Sequence, residues 1–81
     1  MLDLSFLPAT YQPVIADANA LQDSLGITDP RVRDLNTLSL LRQQMHLDRQ
    51  TGTLAYATLL TLYEVALKAC PSPEYDRLRG R

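Results

Sequence analysis

Proline and glycine interrupt this 81-residue chain at only a few positions, and the long stretches between them carry helix-forming residues and no β-branched run. This spacing predicts an all-α fold, a small antiparallel three-helix bundle with a short C-terminal helix. The chain is short enough for one domain, residues 1–81. The expected segments are an irregular lead over 1–12, helices over about 13–25, 30–50 and 53–70, a short helix over 74–78 and a frayed tail over 79–81.

Local signals set the boundaries of these predicted helices. Pro13 suits a first helical turn, where its missing N–H is not needed, and Gly26 suits a helix end. Asp29 directly before Pro30 is typical of a capping side chain followed by a first-turn proline. Gly52 favours a turn between the second and third helices over one long helix continuous through it, because a glycine inside a helix costs about 1 kcal/mol.

Apolar residues at helical spacing predict which faces are buried. The third helix has an apolar sector about half its circumference wide, which requires two neighbouring elements. The first two helices have narrower stripes. These are Val14, Ala18, Leu21 and Leu25 on the first helix, and Val32, Leu35, Leu38, Leu41 and Met45 on the second.

The charge balance and the single cysteine exclude several classes of function. Eight Lys and Arg against nine Asp and Glu leave a formal charge of -1, which supplies no basic field for nucleic acid or anionic membrane. Cys70 is alone, so no internal disulfide can form, and one histidine beside one cysteine does not predict a metal site. Asp3 and Pro8 break the pattern of a secretory signal. We therefore expect a cytoplasmic protein without metal, cofactor or membrane partner.

Catalytic chemistry finds little support in the sequence. His46 and Cys70 would form the nucleophile–base pair, but they fall near opposite ends of the predicted helical hairpin. The triplet Asp23-Ser24-Leu25 resembles the phosphopantetheine attachment motif of acyl carrier proteins. In that family the serine opens the second helix, whereas here Ser24 ends the first. We therefore expect a protein that is not an enzyme.

Surplus apolar residues instead indicate a protein partner. Leu40 and Leu47 lie seven residues apart, roughly opposite the stripe of the second helix. A chain this short, without a disulfide, is often stabilised by association. The predicted function is a small helical subunit, adaptor or chaperone-like partner that buries an apolar face against a second copy or a foreign helix. The predicted interface residues are Leu40, Leu47, Tyr56, Leu60, Tyr63 and Leu67.

Part of the third helix also resembles the second helix of a tetratricopeptide repeat, which is consistent with protein binding. No equivalent pattern occurs about 34 residues earlier, where a repeat array would place it. The residues that carry this resemblance are Tyr56, Leu59, Tyr63, Ala66, Leu67 and Pro71.

A nucleic-acid-binding regulator is the alternative function. The second helix presents arginine, glutamine and histidine side chains of the kind that contact bases and phosphates. The near-neutral net charge argues against this alternative, since phosphate contacts supply most of the affinity for nucleic acids. The residues of this alternative face are Arg42, Gln43, His46 and Arg49.

Overall fold

Three α-helices form the fold in the computed structural model, which describes residues 2–70. They are α1 (Gln12–Ser24), α2 (Pro30–Leu47) and α3 (Leu54–Ala69), and a 3-10 turn at Ala9–Tyr11 leads directly into α1. The predicted all-α class is confirmed. Helix α2 packs against both α1 and α3, so it is the central helix. The short helix predicted over 74–78 and the tail lie outside the described residues.

Side-chain caps fix where two of the helices begin. The Asp29 carboxylate accepts a hydrogen bond of 2.9 Å from the backbone N–H of Arg31, as its position before Pro30 predicts. This backbone bond, reinforced by the Arg31 side chain, holds the pKa of Asp29 below its usual value. At the start of α3, the Thr53 hydroxyl accepts a bond of 3.2 Å from the N–H of Tyr56. These contacts satisfy N–H groups that have no partner within the helix.

Helix α1 ends in a Schellman motif, as the position of Gly26 suggested. Gly26 has φ of +71°, and its N–H donates to the carbonyl of Asp23 at 3.2 Å. The N–H of Ile27 donates to the carbonyl of Gln22 at 3.0 Å. These two bonds satisfy carbonyls that the last turn of the helix leaves open.

Helix α2 ends at Leu47, three residues earlier than predicted, in a second motif of the same kind. Arg49 takes the left-handed position with φ of 58°. Its N–H donates to the carbonyl of His46 at 3.1 Å, and the N–H of Gln50 donates to that of Met45 at 2.9 Å. The sequence did not indicate this end, because the left-handed residue is not a glycine.

Substitutions to glycine at position 49 and from glycine at position 26 test the left-handed backbone conformation at the ends of α2 and α1. Arg49→Gly should raise the free energy of unfolding by roughly 0.5–1 kcal/mol, because relief of the left-handed strain exceeds the entropic cost of glycine. The reverse change, Gly26→Ala, should lower it by about 1 kcal/mol. A Cβ at Gly26 would meet no atom within 4 Å, so that loss would come from the backbone alone. Urea denaturation followed by circular dichroism measures both effects. A destabilised Arg49→Gly variant would contradict the assigned end of α2.

The core lies where α2 faces α3 and the N-terminal lead. Leu38 and Leu41 of α2 and Leu59 of α3 are fully buried. The lead contributes Leu7 and Tyr11, both buried in the same cluster. The other lead residues packed against the core are Leu2, Leu4 and Phe6. The lead is therefore a structural part of the bundle, and together with α2 it provides neighbours for the broad apolar sector of α3.

The predicted apolar stripe of α1 was wrong in its C-terminal half. Leu21 and Leu25 are 51% and 64% exposed, and the polar side chain of Gln22 is buried instead, at 2%. The Gln22 amide donates to the Thr37 hydroxyl at 3.1 Å and accepts from the Asn36 amide at 3.3 Å. Because Asn36 and Thr37 of α2 offer hydrogen-bond partners next to the last turns of α1, Gln22 faces the interior and Leu21 and Leu25 face solvent.

Arg33 fixes the connection between α1 and α2. Its guanidinium donates to the carbonyl of Ile27 at 2.6 Å and forms an ion pair of 2.9 Å with Asp23. It also reaches the carbonyl of Asn19 at 3.4 Å. The Arg33 side chain is mostly buried, so these bonds hold the C-terminal end of α1 against the start of α2.

Candidate partner-binding site

A groove with a volume of about 440 Å³ runs between α1 and α2 on the outside of the bundle. Both walls are helical, so the position of each lining side chain is set by the helix packing described above. The residues that line this groove are Val14, Asp17, Ala18, Leu21, Leu40, Gln43, Gln44 and Leu47. We refer to it as the α1/α2 groove.

Two leucines of this groove are open to solvent, and a third is half-buried. Leu47 is 73% exposed, Leu21 on the opposite wall is exposed, and Leu40 is half-buried. Leu40 and Leu47 point away from the core because Leu38, Leu41 and Met45 occupy the buried side of α2. Burying one such leucine fully is worth about 1.5–3 kcal/mol, so this groove gains stability when another apolar surface covers it.

One polar side chain of the groove, Gln44, is held in place by hydrogen bonds. The Gln44 amide donates to one oxygen of Asp48 at 3.0 Å, and the Tyr11 hydroxyl donates to the other oxygen at 2.9 Å. Burial, together with the Asp48 carboxylate, raises the pKa of Tyr11. Asp17 is the one ionisable side chain in the lining. The groove is therefore nearly neutral and partly preformed.

The structure separates the six predicted interface residues into different environments. Leu40 and Leu47 lie together in the α1/α2 groove, as predicted from their spacing. Tyr56 is buried and belongs to the core, and the half-buried Leu60 and Tyr63 pack against that core. Leu67 on the same helix is also half-buried. None of these residues of α3 lines the α1/α2 groove.

Sequence reasoning missed the contribution of α1 to this groove. Leu21 was assigned to the core face of the first helix, whereas it is exposed and lines the groove. Val14 also lines the groove, and it packs against the core as its assignment predicted. The signal that could have found Leu21 is Gln22, which competes with it for the inward position. Two further side chains of α3, Leu54 and Val65, are exposed apolar residues outside the groove.

The four residues of the predicted nucleic-acid face are all exposed, and Arg42 and Gln43 lie beside different helices. The Arg42 guanidinium lies over the ring of Tyr63 on α3, 5.4 Å from its centroid. Gln43 instead lines the groove beside α1. His46 is in the last turn of α2, and Arg49 lies in the connection that follows.

The side chains considered above for catalysis or for carrying a phosphopantetheine group lie in different environments. Cys70 is buried, whereas His46 is exposed. The Ser24 hydroxyl, at the end of α1, donates to the carbonyl of Leu21 at 2.7 Å. Over residues 2–70, no three His, Cys, Asp or Glu side chains are grouped to hold a metal ion.

Comparison with known proteins finds no matching family model, no similar curated protein and no similar solved structure. In the described part of the chain, none of the helices has the length and apolar character needed to cross a membrane.

Proposed function

We propose that this protein is a non-enzymatic interaction module, a small helical adaptor or subunit that binds an apolar helical surface in its α1/α2 groove. The observation that carries this proposal is the convergence of Leu21, Leu40 and Leu47 on one groove while none of the three belongs to the core cluster. These leucines contribute little to the core of the described chain, and burial against a partner would stabilise them.

The geometry suits recognition of one helix by a pair of helices. An amphipathic helix lies in an apolar groove through anchors spaced at i, i+3, i+4 and i+7. Leu40 and Leu47 provide an i, i+7 pair on one wall, and Leu21 provides a contact on the other. Gln43 and Gln44 can hydrogen-bond to polar groups at the edge of such a contact.

The double variant Leu40→Asp with Leu47→Asp tests this function. It places charge in the groove, and we expect it to lose the partner that the wild-type chain retains, because an unpaired carboxylate is costly to bury. The matched control is Leu54→Asp with Val65→Asp, which adds the same charge to exposed positions of α3. Affinity retention from the source cell, with circular dichroism on each variant, is the measurement.

Equal retention by the wild type and the folded groove variant, together with an unchanged oligomeric state, would refute the module. If only the α3 control loses the partner, the interface lies on that helix. The single variant Leu47→Asp repeats the test if the double variant fails to fold. We expect it to fold, because Leu47 is largely exposed in the folded chain.

The alternative is a nucleic-acid-binding regulator that uses the exposed Arg42, His46 and Arg49. Neither arginine forms an ion pair with another described residue, so both charges are available to phosphates. Salt separates the two functions. Binding to nucleic acid should weaken steeply as salt rises, whereas burial of the groove leucines should not.

A further inference from the structure

We propose that a second cavity of this protein binds a small amphipathic cation, an organic ammonium ion with an apolar body. The cavity has a volume of about 550 Å³ and lies where the N-terminal lead, α1 and the first half of α2 meet. None of its lining residues lines the α1/α2 groove, so this inference goes beyond the proposed function. We refer to it as the lead cavity. Its lining includes Leu2 and Leu4 of the lead, Ile15 and Asn19 of α1, and Asp34 and Thr37 of α2.

One part of the lead cavity is apolar. Leu2 and Leu4 form this part together with Ile15 and with Pro30 at the start of α2. The leucines and the isoleucine are half-buried and pack against the core, so they are held in place while part of each remains accessible. The cavity volume lies within the roughly 300–1,000 Å³ that is usual for small-molecule sites. This part therefore suits an alkyl or aryl group.

The polar part of the lead cavity offers acceptors for hydrogen bonds. The Asp34 carboxylate is half-buried, and the Asn19 side-chain amide provides a carbonyl oxygen. The Thr37 side chain is buried, at 6%, and its oxygen accepts one bond from Gln22, which leaves a second lone pair. A primary ammonium group has three N–H donors, and these three side chains provide acceptors for them.

The charges around the cavity favour a cation over an anion. Arg33, which also lines the cavity, forms an ion pair of 2.9 Å with Asp23. Arg31, on the other side of Asp34, forms one of 3.4 Å with Asp29. Asp34 itself forms no ion pair with any residue of 2–70. Both neighbouring positive charges are thus balanced by other carboxylates, and the Asp34 carboxylate remains to be matched by a ligand of opposite charge.

The test is a nuclear magnetic resonance titration of the nitrogen-15-labelled full chain with octylammonium chloride and, separately, with sodium octanoate. The two probes have the same chain length and opposite charge. We expect octylammonium to bind with a Kd of about 1 mM or below, which is ordinary for a ligand of about nine non-hydrogen atoms. The largest shifts should occur at the amide signals of Leu4, Ile15, Asn19 and Thr37. Octanoate should bind at least about 10-fold more weakly, because its carboxylate would face Asp34.

Asp34→Asn removes the charge and keeps the size of the side chain. It should weaken octylammonium binding by about 10-fold and bring the two probes to similar affinities. The matched control is Asp17→Asn, the same change at the exposed aspartate of the α1/α2 groove, which should leave both affinities unchanged. Circular dichroism establishes that each variant is folded.

Equal affinity for the two probes, no saturable binding of octylammonium up to about 10 mM, or unchanged binding by the folded Asp34→Asn variant would overturn the inference. Octylammonium shifts centred on Leu40 and Leu47 would also overturn it, because they would place the ligand in the α1/α2 groove. If Asp34→Asn does not fold, the comparison of the two probes on the wild-type chain decides the question. The proposed function stands or falls separately, through partner retention and oligomeric state.

Discussion

Leu59→Ala is expected to lower the free energy of unfolding by about 2–5 kcal/mol, because it removes a fully buried side chain from the centre of the core. Leu59 joins Leu38 and Leu41 of the central helix in one cluster, so the lost volume leaves a cavity between α2 and α3. A single core of this size rarely supplies more than about 3–5 kcal/mol. The variant should therefore be largely unfolded at room temperature, as measured by circular dichroism and urea denaturation.

Leu54→Ala is the matched control, since Leu54 is on the same helix but 84% exposed. We expect it to change the free energy of unfolding by less than about 0.5 kcal/mol. Similar losses for Leu54→Ala and Leu59→Ala would show that α3 is not oriented as described.

Gln22→Glu is expected to lower the free energy of unfolding by roughly 3–5 kcal/mol at neutral pH, because it buries a charge without a partner of opposite sign. The Gln22 amide now donates to the Thr37 hydroxyl at 3.1 Å and to the carbonyl of Ala18 at 3.2 Å. A carboxylate oxygen in place of that nitrogen would be repelled by the partial negative charge on the Ala18 carbonyl oxygen, and neither oxygen carries a proton to share. Urea denaturation over a pH series measures the loss.

The pH dependence distinguishes a buried charge from a simple packing defect. Burial favours the neutral form of the introduced carboxyl, so the loss should be present at neutral pH and shrink as the pH falls towards about 4. Gln43→Glu makes the same chemical change at an exposed position and should be nearly neutral in effect. A loss of equal size at every pH would contradict the buried position of Gln22.

Local sequence signals were sufficient to predict the helical class and the helix starts. Asp29 before Pro30 acts through a side-chain bond to a nearby N–H group, which depends on neighbouring residues alone. The cap at Thr53 was not predicted, and α3 begins one residue later than expected. The end of α2 was not predictable in this way. Gly52 suggested a later boundary, whereas Arg49 adopts the left-handed conformation that usually marks a glycine.

The packing of α1 depends on contacts between residues distant in the sequence. Its apolar spacing favoured Leu21 as a core residue, but Thr37 and Asn36 of α2 draw Gln22 inward. Nothing local to α1 indicates these partners. The α1 wall of the candidate site was missed for the same reason.

The position of Leu40 and Leu47 could be predicted because α2 has one well-defined core stripe, and both residues lie opposite it. For α3 the apolar sector is too wide to separate core from surface by spacing alone. The structure divides it by burying Tyr56 against α2 and leaving Val65 exposed. That division depends on where α2 and the lead pack, which the sequence pattern of α3 does not determine.

The most direct test of the groove as an interface is a filtered nuclear Overhauser measurement on an equal mixture of carbon-13-labelled and unlabelled chains. It detects methyl groups that lie within a few ångströms of a second chain. If a second copy of this chain is the partner, the account predicts intermolecular signals at the methyl groups of Leu21, Leu40 and Leu47, and none at Leu54. Intermolecular signals confined to Leu54 and Val65 would contradict the groove as the interface.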